Sequence, residues 1–165
     1  MAAASSAGRL RVGMSAEQRL KELGIKLPSP SDPLGARVDA VRTGNLLFLS
    51  GMLPTEDQDA KFIGRVGAEV DLHAGRMAAS LAALNAVAVA REQLGSVDRV
   101  TRIVRLAVSI ATSGEVRDHA AVADAASELL EEVFGKEKSP CLLVLGVASL
   151  PLGAPVELDV IFEVA

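Results

Sequence analysis

The end of the chain carries the clearest alternation of apolar and polar residues. Within residues 155–164, apolar residues occupy every second position, and Glu157, Asp159 and Glu163 stand between them. A period of two predicts a β-strand with one face on the core and one acidic face. The simplest interpretation of this pattern is a half-buried strand whose acids are solvated.

Other apolar runs predict five more strands, over residues 38–43, 45–50, 61–66, 100–110 and 140–148. The run 45–50 is apolar on both faces, which is typical of a central, covered strand. Strict alternation in 100–110 places Val104 and Leu106 on one face and Ile103 and Arg105 on the other.

Apolar residues at helical spacing predict three helices. A short one covers residues 15–23, with Ser15 as its N-cap. A long one begins after Asp71, continues to Leu94 and ends at Gly95, because a left-handed glycine commonly terminates a helix. The third covers residues 115–134.

After the short N-terminal helix, the element order is βββαβαββ, which predicts an α+β fold: a mixed β-sheet with two long helices packed on one face. Two layers leave the second face of such a sheet uncovered, although several of its residues are apolar. We therefore expect the chain to form an oligomer.

The amino-acid composition argues against some classes of binding partner. The formal net charge is −4, and the chain contains four Phe but no Trp or Tyr. Acidic charge and missing aromatics both disfavour a nucleic-acid surface. Arg99, Arg102 and Arg105 form a local basic cluster, interpreted either as solvated strand-edge charges or as an RNA contact. His73 and His119 have no neighbouring cysteine, so no metal site and no cofactor is expected.

The chain is expected to be one domain with a tail and no membrane span. Residues 1–14 are predicted to be a flexible N-terminal tail and residues 15–165 a single domain. The one cysteine favours a reducing compartment, hence the cytoplasm. Residues 1–13 contain two arginines and no acidic residue. This composition is compatible with a mitochondrial targeting segment, with a plain flexible tail, or with an upstream translation start ahead of Met14.

Three motifs together resemble the Rid/YjgF family, the reactive intermediate deaminases, also labelled endoribonuclease L-PSP-like. They are Gly-Asn-Leu-Leu-Phe-Leu-Ser-Gly at 44–51, Glu-Val-Phe-Gly at 132–135 and Val-Ala-Ser-Leu-Pro at 147–151. The resemblance covers residues 15–165 and implies a chorismate-mutase-like fold. It also implies a homotrimer whose clefts between subunits bind a small molecule and hydrolyse enamines or imines.

The same resemblance assigns roles to three residues. Glu157 falls where the family has the glutamate that handles the pocket water, so it is the candidate general acid and base. Ser50 and Gly51 match the corner that supplies a hydroxyl and backbone amides to the pocket floor. Without the resemblance, Ser-Gly simply ends a strand.

One position departs from the family pattern. Where relatives read Pro-Ala-Arg-Ser, this chain has Pro140-Cys141-Leu142-Leu143. The family's arginine grips a substrate carboxylate through two charge-assisted hydrogen bonds, and Leu142 offers none. Arg37 stands where the family often has a tyrosine, and it is a candidate replacement anchor as well as an ordinary surface arginine.

Two further residues belong to the candidate site by the same resemblance. Asp124 lies near a family asparagine, and its alternative is a solvated helix acid. Cys141 lies beside the pocket position, and a buried inert thiol is expected because no cationic neighbour is adjacent in sequence.

Three hypotheses follow for function. The first is a deaminase with an altered substrate, using Glu157 and Ser50. The second is a non-catalytic trimer that binds a neutral small molecule or a protein, favoured by the apolar Leu142. The third, supported only by the family's older label, is an endoribonuclease.

Overall fold

Capping residues fix the helices of the computed structural model, which describes residues 13–30 and 38–165. Helix α1 (Ala16–Glu22) begins at Ser15, whose hydroxyl accepts from the Gln18 amide while the Gln18 side chain accepts from the Ser15 amide. Helix α2 (Leu72–Leu94) begins at Asp71 and ends at Gly95, which has φ of 80°. Helix α3 is His119–Phe134.

Within residues 13–30 and 38–165, seven strands accompany these helices: β1 (Ala40–Thr43), β2 (Leu46–Leu49), β3 (Thr55–Glu56), β4 (Asp59–Ala60), β5 (Val100–Ala111), β6 (Cys141–Val147) and β7 (Val156–Val164). Five form one mixed sheet in the order β1-β2-β7-β5-β6, in which only β5 and β6 run parallel. The predicted α+β fold is confirmed. Strand β7 is central, and β6 is an edge strand.

The core lies between this sheet and the helices. Alternate residues of β7, among them Leu158 and Phe162, are fully buried, and the Phe162 ring lies 5.7 Å from the Phe134 ring of α3. Helix α2 buries mainly alanines, which allow close packing on the sheet. We call the other side of the sheet the open face; there Val41, Phe48 and Ile161 align in one cross-strand row.

Helix α2 is long and apolar enough to cross a membrane by length and composition alone. However, 56% of its most apolar window is buried inside the fold. Its character is therefore that of a core helix that packs against a sheet and a second helix.

Three local predictions are corrected. Residues 61–66 do not form a strand; the chain instead makes the β3–β4 hairpin just before, and Val66 forms only single bridges to Val70 and Thr112. Helix α3 begins at His119 rather than at residue 115. Irregular pairing of β5 with β7 puts Ile103 in the core and leaves Val104 exposed, the reverse of strict alternation.

Candidate functional site

An extra residue interrupts the pairing of β2 with β7. Phe48 pairs with Ile161, and the next pair is Met52 with Leu158. Three residues, 49–51, therefore lie opposite two, 159 and 160. A bulge of this kind bends the strand and redirects its side chains. The predicted Ser50-Gly51 corner is this bulge.

Hydrogen bonds on both sides hold the corner in place. The Met52 amide donates to the Leu158 carbonyl at 2.8 Å, and the Leu158 amide donates back at 2.9 Å. Beneath it, the buried side-chain amide of Asn85 on α2 donates to the carbonyls of Leu53 (2.8 Å) and Thr55 (2.9 Å). A polar side chain inside the core thus fixes the loop that follows Gly51.

Glu157 lies directly against this corner. Its side chain is half-buried on the open face, in register with Ser109. Its Oε1 atom lies so close to Gly51 that a β-carbon at position 51 would overlap it. The structure therefore brings together Glu157, Ser50 and Gly51, as the sequence predicted.

Gly51 places its main chain next to the Glu157 carboxylate. The neighbouring amides of Ser50 and Met52 donate to Asp39 and Leu158, and Gly51 itself is exposed. A carboxylate at such an exposed corner can accept a proton from water.

The hydroxyl and the amide of Ser50 both make hydrogen bonds within the fold. Its hydroxyl donates to the Val38 carbonyl at 2.5 Å, and its amide donates to the Asp39 carbonyl at 2.8 Å. Both groups hold the chain ahead of β1 against the corner. The hydroxyl proton is therefore used in a hydrogen bond within the fold. The Ser50 oxygen can still accept a hydrogen bond from a ligand.

Leu142 lies on the other side of the sheet from Glu157. It is in register with Leu106, which is fully buried towards the helices, whereas Glu157 is on the open face. Leu142 is nevertheless 41% exposed, because β6 is an edge strand. Within one chain the two residues do not meet, and a cleft that contains both needs two copies.

Cys141 differs from the expectation. The thiol is exposed rather than buried. It lies at the start of the edge strand on the open face, in register with Arg105, where no further strand covers it. The prediction of a buried cysteine is wrong for the single chain, because β6 is an edge strand that leaves the thiol uncovered.

Asp124 is not brought to the corner: it is exposed on α3, on the helix side of the sheet, which agrees with the solvated alternative. Arg37 lies outside the described residues. Among residues 13–30 and 38–165, no group of three His, Cys, Asp or Glu side chains is placed to hold a metal ion.

Two contacts near these elements were not predicted from the sequence. One is the pair of hydrogen bonds from the Asn85 side chain to the loop that follows Gly51. The His119 imidazole packs over Gly146 of β6, where its Nε2 would lie 2.6 Å from a β-carbon. Neither contact has a local sequence signal, because each joins elements distant in the chain.

Comparison with known proteins decides the family. The sequence matches the family described as "YjgF/chorismate mutase-like, putative endoribonuclease" over residues 17–162. The chain belongs to this YjgF family.

Individual relatives match this chain over nearly its whole length. Protein TCP17 of Trypanosoma cruzi is 39% identical over 145 residues, which are 87% of this chain and 91% of TCP17. The crystal structure of Atu1372 from Agrobacterium tumefaciens has a TM-score of 0.83 at 35% identity, covering 91% of this chain and 92% of Atu1372.

A "putative endoribonuclease" from Shewanella oneidensis matches with a TM-score of 0.87 at 27% identity, covering 92% of this chain and 100% of that one. The shared fold does not by itself identify a reaction, since function depends on the residues of the site.

Proposed function

We propose that this YjgF protein is an imine and enamine hydrolase whose active sites lie in clefts between the subunits of a homotrimer. The observation that carries the proposal is the Glu157 carboxylate packed on Gly51 at an exposed corner of the sheet. This arrangement supplies the base that hydrolysis of a C=N bond requires.

The reaction consumes one water for each C=N bond. Glu157 accepts a proton from water as the water oxygen bonds to the imine carbon, and passes it to the nitrogen to give a carbinolamine. Glu157 then accepts the proton of the new hydroxyl group and donates it to the nitrogen as the C–N bond breaks, so that ammonia and a carbonyl compound leave.

Exposed apolar residues support the assembly. Strand β6 contains no charged residue and no proline, and Leu142 and Leu145 are 41% and 47% exposed. An uncharged, apolar edge strand left open invites aggregation, so it is normally covered. The open face adds Val41 and Phe48, which are 54% and 38% exposed. A neighbouring copy that covers β6 would also bring Leu142 towards a second chain's Glu157.

The test compares the wild type with Glu157→Gln, which keeps the shape of the side chain. Imines are generated in situ by an amine or amino-acid oxidase, and the imine that escapes hydrolysis is trapped with semicarbazide. The wild type should lower the trapped imine, and Glu157→Gln should lose at least about tenfold of that effect. Equal rates for the two proteins at equal trimer content would overturn the proposal.

A non-catalytic binding trimer is the second candidate. The Ser50 hydroxyl favours it, because this group, predicted to contact a ligand, instead donates a hydrogen bond within the fold. It predicts ligand binding without turnover, unchanged in Glu157→Gln. Several relatives are called endoribonucleases, so RNA cleavage serves as a third arm of the assay. The acidic net charge argues against it.

A further inference from the structure

The charges around Glu157 on the open face disfavour the binding of an anionic ligand. Asp159 is the next residue of β7 on the same face, and it is exposed. The nearest cation in the sheet register, Arg105, pairs with Ile161, four residues along β7 from Glu157. That separation is about 13 Å along the strand. A carboxylate held beside Glu157 would therefore face two acids first.

The helix side of β6 is apolar at Leu142, where the resemblance predicts a carboxylate anchor, and at Val144. The His119 imidazole lies further along this side, over Gly146. Lys138, three residues before β6, donates its Nζ to the Val100 carbonyl at 3.0 Å and is held there. Burial of a carboxylate against these side chains without a cation is unfavourable.

We infer that the cleft is selective for imines that carry no carboxylate and have an apolar substituent, with Leu142 and Asp159 as the residues that determine this selectivity. The inference rests on the proposed function and names its substrate class. Hydrolysis of such an imine yields an uncharged ketone or aldehyde and ammonia. A protonated iminium is also accepted, because Glu157 and Asp159 attract positive charge.

The closing experiment uses a matched pair of ligands in which a methyl group replaces a carboxylate. The pair is 4-methylpentan-2-one and 4-methyl-2-oxopentanoate, together with the corresponding imines. Calorimetry measures binding of the two stable carbonyl compounds to the full chain, and the trapping assay measures turnover of the two imines. Binding thus reports on selectivity even if turnover is absent, which separates this inference from the proposed function.

The wild type should bind the ketone at least about tenfold more tightly than the keto acid, and Glu157→Gln should narrow that preference without reversing it, because Asp159 and Leu142 are unchanged. Leu142→Arg should reverse it, because a charge-assisted pair is worth about ten- to a hundredfold in affinity. Leu142→Gln is the matched control, with similar length and no charge, and should not reverse it. Asp159→Asn should raise affinity for the keto acid.

Tighter binding of the keto acid by the wild type overturns the inference. In that case Arg37→Gln, Lys136→Gln and His119→Gln identify which cation serves as the anchor. Binding of neither compound at millimolar concentration also overturns it. Ketone preference without turnover of either imine would retain the selectivity and reject the proposed hydrolase.

Discussion

Gly51 and Glu157 are in such close contact that the carboxylate occupies the space of the side chain that position 51 lacks. This close approach, and not the backbone conformation, favours glycine here, because its φ is not among the positive values that favour glycine. A side chain at position 51 would displace the end of the flexible Glu157 side chain, so this position controls where the proposed catalytic carboxylate lies.

Gly51→Ala should displace Glu157 and lower imine hydrolysis by about a hundredfold, while the protein stays folded. A misplacement of about 1 Å is sufficient for a loss of this size. The measurement is kcat/KM together with the thermal midpoint. In a Glu157→Ala background the added methyl group has room, so Gly51→Ala should have no further effect there. Additive losses in the double variant would show that the contact is not the cause.

Ser50→Ala should reduce stability more than activity. It removes the hydroxyl donor to Val38, a contribution of about 0.5–1.5 kcal/mol, and the rate should stay within a few-fold of the wild type. Urea denaturation and the imine assay give the two quantities. A hundredfold loss of rate at unchanged stability would instead assign the hydroxyl to the substrate.

Asn85→Leu should destabilise the fold by about 2–4 kcal/mol, because the carbonyls of Leu53 and Thr55 lose their buried donor. Chemical denaturation measures the change. Ser80→Ala on the same helix is the control, since its hydroxyl makes only a 3.5 Å contact with the Ala125 carbonyl and its loss should cost well under about 1 kcal/mol. Equal effects of the two substitutions would rule out the positioning role of Asn85.

Leu145→Lys should convert the proposed trimer into folded monomers, because it places a charge on the edge strand that a second copy is proposed to cover. Light scattering after size exclusion gives the mass, and circular dichroism gives the fold. Leu152→Lys is the matched control: Leu152 is also 47% exposed but lies outside the sheet. Loss of mass in both variants, or in neither, would contradict the assignment of β6 to the interface.

The sequence predicted the elements whose signals are local. Asp71 and Gly95 bound α2 as expected, since a cap needs only its own turn. The strand over residues 61–66 was wrong because Val66 pairs with Thr112, a partner that no local pattern reveals. Irregular register in β5 reversed the faces of Ile103 and Val104 for the same reason.

The candidate site was predicted in part. Glu157 and the Ser50-Gly51 corner do lie together. That Leu142 lies on the opposite side of the sheet follows from the register of β6 with β5, which depends on pairing and not on residue type. Asn85 could not be found from sequence alone, because its carbonyl partners are about 30 residues away in the chain.

The central proposal is a cleft in which Glu157 of one copy acts beside Leu142 of another copy. Subunit mixing tests such a shared cleft directly. Glu157→Gln and Leu142→Asp should each be nearly inactive alone. Co-expressed with different tags and purified through both, they should regain activity, because about one cleft in three of a mixed trimer then contains two unaltered walls. Mixed trimers no more active than the average of the two separate variants would contradict a shared cleft.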